Sequence, residues 1–337
     1  MNKTKLMIAI PMAGLGTRMR PQTWSKPKPL ISLAGRTVLD FVLEQYRSVP
    51  DNYEIEYVFI IGPQQFEQVH AHMRTYHPEK VVHYVEQAKM RGQSDALYLA
   101  RDHFDGPMIM AFSDTLIETD FSFLRDNPPE AAAWVKAVPD PRRFGVAELG
   151  PDGFVTRLIE KPTDMGNNLV VVGCYFFNSG KALISAIEEQ MARNVTLKNE
   201  FFLADAVNIL LERGARMAVQ PVEIWLDAGT PDTLLETNRY LLEHGRDNSA
   251  QAARPNVTIV PPVFIHESAR IEFSVIGPHV SIGADCELCR AIVSNTIIDE
   301  GSEIKDIAVE SSLLGRQVSL TGQPLHLNLG DQSWAVR

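Results

Sequence analysis

Directly after a short apolar segment, the chain reads Ala13-Gly14-Leu15-Gly16-Thr17-Arg18-Met19-Arg20-Pro21. Two glycines let the backbone approach phosphate oxygens and turn successive N–H groups toward them, and Arg18 adds a fixed fork of donors. The chemistry these residue types suit is the holding of a phosphorylated ligand. A dinucleotide fingerprint would need a third glycine where Met19 stands, which disfavours an NAD-dependent dehydrogenase, and a Walker loop would need Gly-Lys-Ser/Thr. Next comes Ser25-Lys26-Pro27-Lys28-Pro29-Leu30, where prolines stiffen a segment carrying two lysines. A triphosphate needs several cations, so lysines beside such a loop are candidates for charge neutralisation.

These motifs resemble the sugar-1-phosphate nucleotidyltransferase family, which includes glucose-1-phosphate thymidylyl- and uridylyltransferases. The run from Gly14 to Thr23, followed by Lys26 to Leu30, carries the resemblance, which extends over nearly the whole chain. It implies Arg18 and Lys28 as the charges on the triphosphate and transition state. Lys28 is preferred to Lys26 because it directly precedes Pro-Leu. The backbone of Ala13, Gly14, Leu15, Gly16 and Thr17 is implied to lie along the phosphates.

Gly92-Gln93-Ser94-Asp95-Ala96 is similar to the family's base-and-ribose segment, with Gln93-Ser94 where Thr-Ala is commoner, which leaves base choice open. Asp114 and Asp227 match the two metal aspartates, the first in Ser-Asp where Gly-Asp is the common form. Alone, Asp114 reads equally as a cap or turn residue. Gly145, Glu160, Lys161 and Gly173 resemble the sugar site, with Trp225 in the segment that ends in Asp227. There the glycine backbone and the glutamate bind hydroxyls, and the lysine holds the sugar phosphate. Asn199-Glu200 and Leu203-Ala204-Asp205-Ala206 also resemble a family segment, although a core helix accounts for that stretch as well.

Two aspartates far apart in sequence and both at strand ends suit Mg²⁺, which takes few protein carboxylates and fills its octahedron with water and phosphate oxygens. The resemblance thus implies an NTP, a sugar 1-phosphate and Mg²⁺ as partners. UTP or dTTP with glucose 1-phosphate is the first pairing; GTP with mannose 1-phosphate is the alternative. A non-catalytic regulatory or assembly relative is the rival reading.

The elements that must position these residues follow from periodicity. Leu6–Ile10, Tyr57–Ile61, Val81–Val85 and Met108–Phe112 read as buried strands, and Val38–Tyr46, Gln64–Tyr76 and Ser94–His103 as helices between them. That alternation predicts a Rossmann-like α/β domain, a mostly parallel mixed sheet with helices on both faces, whose ligand sits at the C-terminal ends of the strands. Ala131–Val138, Gly145–Leu149, Phe154–Glu160 and Leu169–Phe177 read as antiparallel strands inserted over the site. A helix at Leu203–Glu212 and another at Asp232–Leu242 close the domain.

Beyond residue 255 the apolar period changes to six: Ile259, Ile265 and Ile271, then Ile276, Ile282 and Leu288, then Ile298 and Ile304 after a slip. A six-residue period with small corner residues predicts a short left-handed parallel β-helix of three to four coils, few for an acyltransferase. The expected domains are a catalytic domain over 1–245, a linker over 246–255, and the β-helix with its tail over 256–337. Such a β-helix has open ends to cover, which predicts homo-oligomers formed or stabilised through it.

A net charge of −10 excludes a general nucleic-acid binder, which needs a basic face, but leaves room for a local anion site. Hydrophobic residues at 45% and charged residues at 22% fit an ordinary globular enzyme. The apolar start ends at Pro11, too short for a signal peptide or a membrane span. Three cysteines cannot build a disulfide framework and fit a reducing cytoplasm. Cys286-x-x-Cys289 lacks a second pair to complete a zinc site. His70 and His72 are two apart on a helix and point in different directions, and the nine histidines otherwise show no cluster.

Overall fold

The computed structural model describes residues 3–323. The chain divides into two compact units: one runs to Ile31 and resumes over Thr37–Thr233, and the other takes Ser32–Arg36 and continues from Leu234.

In the first unit β1 (Thr4–Pro11), α1 (Val38–Glu44), β2 (Tyr53–Ile61), α2 (Phe66–Tyr76), β3 (Val81–Glu86), α3 (Gln93–Leu99) and β4 (Met108–Ala111) alternate along the chain. Their strands pair in parallel in the order β4-β1-β2-β3. Parallel neighbours need long crossovers, which the helical connections supply. Leu6–Ile10 and Val58–Ile61 are buried at every position, as strands covered on both faces must be. The chain lays β2 on one side of β1 and later places β4 on the other. Such a reversal leaves a crevice outside the C-terminal ends of β1 and β4.

After β5 (Thr115–Ile117) come β6 (Ala131–Ala137), β7 (Gly145–Leu149), β8 (Val155–Glu160) and β9 (Leu169–Phe177). The expectation that these strands are inserted over the site needs correction. β9 runs antiparallel to β4, and β6 and β7 pair with β9, so the strands extend one nine-stranded sheet. The reason is visible in β6, whose first five residues are all buried, as in a sheet interior.

α4 (Gly180–Ala192), which the sequence reading passed over, starts where the Ser179 hydroxyl accepts the Ala182 N–H at 3.2 Å. It packs on α5 (Leu203–Glu212). β10 (Met217–Pro221) runs parallel to β6, and β11 (Trp225–Asp227) antiparallel to β5. Met7, Ala9, Val58 and Ile60 share a core with Leu97 of α3, Leu183 and Ile187 of α4, and Leu203 and Val207 of α5. α6 (Pro231–Leu241) follows.

The second unit contains a left-handed β-helix. Its short strands form three parallel sheets of four strands each among the described residues, between Val257 and Thr321. Val263 pairs with Val280, and Ser281 with Ile297, steps of 17 and then 16 residues. Coils shorter than three full hexads explain the slip in the apolar period. Corners are turned by residues with positive φ, among them His279, Asp285, Asn295 and Asp306. Ile265, Ile282, Ile298 and Ile304 fill the interior.

Residues 247–254 are tied to the first coil rather than slack. Asp247 Oδ1 accepts the Val263 N–H at 2.9 Å, Asn248 exchanges two bonds with Ile265, and Arg254 donates to the Ala269 carbonyl at 2.7 Å.

Ile282 is fully buried, whereas Ile292 points outward and is 58% exposed. Ile282→Ala should therefore cost about 2–5 kcal/mol and Ile292→Ala within about 0.5 kcal/mol, as read by denaturant unfolding. Equal losses would contradict this orientation of the strands.

Candidate active site

The loop after β1 is pre-folded. Gly16 has φ +59°, and its carbonyl accepts the Thr23 hydroxyl at 2.8 Å and the Met19 N–H at 2.9 Å. A side chain there would meet Thr23 Cγ2 at 2.9 Å. Ala13 is buried, whereas Gly14, Leu15, Thr17 and Arg18 are exposed, and the space over Gly14 is open.

At the crevice three charged side chains meet. The Lys28 ammonium is ion-paired with Asp114 Oδ2, while Lys26 is buried. Asp114 follows β4 and precedes Thr115, the partner of Asp227 in the β5–β11 pair. The Asp114 carbonyl accepts the Ala228 N–H at 2.9 Å, fixing the two strand ends together. Asp227 Oδ1 accepts the Gly229 N–H at 2.8 Å. Burial, and then the negative charge of Asp114, push the Asp227 carboxyl above its ordinary range, against the pull of Lys28, the Gly229 N–H and Arg18. Two carboxylates are an oxygen donor set of the kind Mg²⁺ takes, and their repulsion is what a divalent cation would relieve.

The Gly92 segment is held by close backbone approach. Gly92 has φ +101°, and a Cβ there would stand 2.4 Å from the Phe201 carbonyl oxygen. Phe201 N–H donates to the Arg91 carbonyl at 2.8 Å, and Ser94 N–H to the Phe201 carbonyl at 3.1 Å. The Gln93 amide oxygen accepts the Leu203 N–H at 3.2 Å, at the start of α5. Gln87, which sequence reasoning missed, is buried and donates to the Gly92 carbonyl at 3.2 Å and to Asp95 Oδ2 at 3.0 Å. Its signal was a polar residue just past the end of β3.

A third group gathers beside β7 and β8. Glu160 lies opposite Gly145, and Lys161 has φ +49° with its N–H donating to the Phe144 carbonyl at 2.9 Å. The Lys161 ammonium stands 3.4 Å from Glu160 Oε1 and 4.4 Å over the Phe202 ring. Burial pushes the Glu160 carboxyl up, and Lys161 opposes it. Phe144 meets Trp225 edge-on at 5.1 Å, which links this group to β11. The Trp225 indole N–H is buried with no acceptor among the described residues. Gly173, φ +83°, sits in the register shift of β9, and its carbonyl accepts the Phe112 N–H at 3.0 Å.

The structure thus joins Lys28, Asp114 and Asp227 directly, with Arg18 acting on Asp227 through its charge. Gly145, Glu160 and Lys161 form a neighbouring group linked through Phe144 and Trp225, and Gly92 and Gln93 lie against Phe201 and Leu203. The expectation that the histidines form no cluster needs correction: His72 and His77 converge on Asp40. His77 leaves the helix at φ −139° and ψ 47°, a turn that spacing along a regular helix cannot show.

Residues 9–244 match the family described as Nucleotidyl transferase. The chain belongs to the nucleotidyl transferase family. It is 30% identical over 352 residues to a glucose-1-phosphate thymidylyltransferase of Streptomyces griseus, covering 96% of this chain and 97% of that protein. It is also 30% identical over 258 residues to "Bifunctional protein GlmU" of Methanocaldococcus jannaschii, covering 76% of this chain but only 59% of that longer protein. Among solved structures, a UDP-glucose pyrophosphorylase complexed with UDP-glucose shares the fold, with a TM-score of 0.59 and 19% identity over 72% of this chain and 99% of that one. The chain is therefore a sugar-1-phosphate nucleotidyltransferase.

A Cβ on Gly173 would lie 2.2 Å from Phe112 Cδ2, whereas one on Gly14 would touch nothing within 4 Å. Gly173→Ala should cost about 1–3 kcal/mol or more, and Gly14→Ala well under 1 kcal/mol. Thermal unfolding checks both, and a neutral Gly173→Ala would contradict the packing at the β9 bulge.

Proposed function

We propose that this enzyme transfers a nucleotidyl group from UTP or dTTP to glucose 1-phosphate, releasing pyrophosphate. The observation that carries the reading is the meeting of Lys28, Asp114 and Asp227 at strand ends beside a pre-folded glycine loop. The thymidylyltransferase of Streptomyces griseus, alike over nearly its full length, supports the choice of substrates.

A sugar phosphate has a second pKa of about 6, so near pH 7 its oxygen is already a largely ionised nucleophile. That oxygen attacks the α-phosphorus, and the bond to pyrophosphate breaks. The protein's task is then alignment and charge neutralisation. The Gly14–Thr17 backbone lies along the phosphates, while Lys28 and Arg18 offset charge on the triphosphate. Lys161 holds the sugar phosphate. Glu160, Gly145 and Gly173 bind its hydroxyls, and the Trp225 N–H has a donor to offer in the same region. Gly92 and Gln93 border the base. Asp114 and Asp227 would hold Mg²⁺, which neutralises phosphate charge when bound. Assembly into homo-oligomers through the second unit completes the proposal, supported by outward apolar residues such as Phe273 and Ile292.

Pyrophosphate release from five nucleoside triphosphates, each against several sugar 1-phosphates, tests the pairing. UTP or dTTP with glucose 1-phosphate should give the highest kcat/KM. A maximum for GTP with mannose 1-phosphate would replace the substrates, and no release from any pair would sink the catalytic reading. On the best pair, Asp114→Asn and Asp227→Asn should each lower kcat by at least about 10²-fold with the fold intact. Near-normal turnover at saturating Mg²⁺ in either would remove the metal assignment.

A further inference from the structure

Away from the crevice, Asp40 stands at the third position of α1 and closes a capping box with Thr37. Its Oδ2 accepts the Thr37 N–H and hydroxyl, each at 2.8 Å. Its Oδ1 faces two imidazoles instead: His72 Nε2 and His77 Nε2 each lie 2.7 Å away. His72 belongs to the last turns of α2. His77 follows that helix and is fixed by its N–H on the Met73 carbonyl at 2.8 Å. Asp40 is 8% exposed, and the two imidazole side chains are 10% and 17% exposed. One ligand atom from each residue lies within 4.8 Å of the others.

We propose that Asp40, His72 and His77 form a transition-metal site of the Zn²⁺ type, separate from the Mg²⁺ expected at Asp114 and Asp227. Two imidazole nitrogens and one carboxylate oxygen are three of the four ligands of a tetrahedral zinc centre, and water supplies the fourth. Imidazole-rich sets suit Zn, Cu, Fe and Ni, whereas Mg²⁺ takes oxygen. Without a metal, each imidazole must carry its proton on Nε2, and both protons crowd onto one oxygen. A cation replaces both. Ligand atoms held about 2.0–2.2 Å from zinc stand about 3.3 Å apart, so the two 2.7 Å gaps from Asp40 Oδ1 to the imidazoles need to open by roughly half an ångström, within reach of ring rotation on α2 and its end. A metal here cross-links the start of α1 to the end of α2, two segments joined through a long stretch of chain. Its role is to clamp the unit.

The test titrates Zn²⁺ and Co²⁺ into chelator-treated full-length protein in excess Mg²⁺, which keeps the Asp114–Asp227 carboxylates occupied. One Zn²⁺ per chain should bind at micromolar affinity or tighter, raise Tm by several degrees, and be replaced by Co²⁺ with the intense visible bands of a tetrahedral nitrogen–oxygen site. His72→Gln and His77→Gln should each weaken binding by at least about 10²-fold. No stoichiometric binding by the wild type would overturn the proposal, leaving a hydrogen-bonded triad. So would Zn²⁺ binding of unchanged affinity in both variants. If the variants do not fold, the wild-type Co²⁺ spectrum decides: tetrahedral bands support the site, and a weak octahedral spectrum rejects it.

Discussion

Two carboxylates placed within each other's field cannot both be comfortable as anions in a half-buried crevice, and the catalytic unit is organised around that conflict. Asp114 and Asp227 arrive from the ends of different strands and are locked together by the bond from Ala228 N–H to the Asp114 carbonyl. Lys28 offsets part of the repulsion through its charge and its ion pair with Asp114, and Gly229 N–H and Arg18 add smaller contributions. The cost of assembling such a centre is offset by the sheet, whose buried segments Leu6–Ile10 of β1 and Val58–Ile61 of β2 anchor the frame that carries these strand ends. Repulsion that is only partly offset is what the proposed divalent cation would relieve, with Lys28 and Arg18 left to face phosphate charge.

The neighbouring groups extend this arrangement without new scaffolding. The register shift of β9 at Gly173 puts its carbonyl on the Phe112 N–H, two residues before Asp114. Phe144 against Trp225 ties the Gly145–Lys161 group to the strand that ends in Asp227. Phe201 approaches Gly92 so closely that no other residue fits there without displacing backbone. Each contact lets residues distant in sequence share one rigid frame, which is what in-line transfer requires.

Much of this was legible in the sequence where the signal was local. The strands, the glycine loop and the six-residue period each follow from residue type and spacing, but Val81–Val85, read as a buried strand, is only half-buried with Val81 51% exposed, because β3 lies at the edge of the sheet. Tertiary pairing was not legible. The alanine-rich β6 reads like any strand, and its pairing with β9 and β10, with its first five residues buried, shows that it extends the main sheet. α4 was passed over although Ser179 caps its start. Gln87 and the Asp40–His72–His77 cluster escaped because their partners lie on other elements, and because His77 turns out of the helix that carries His72. Spacing alone could not separate Lys28 from Lys26, and the structure distinguishes them by the ion pair of Lys28 with Asp114.

The central claim is that Asp114 and Asp227 act as one divalent-cation site. Its most direct test is electron paramagnetic resonance of Mn²⁺ added to the protein saturated with nucleotide-sugar, in the wild type and in the Asp114→Asn and Asp227→Asn variants. Zn²⁺ is added beforehand to fill any imidazole site. The account predicts one tightly bound Mn²⁺ per chain in the wild type and its loss in both variants. Retention of that Mn²⁺ in either variant would contradict it.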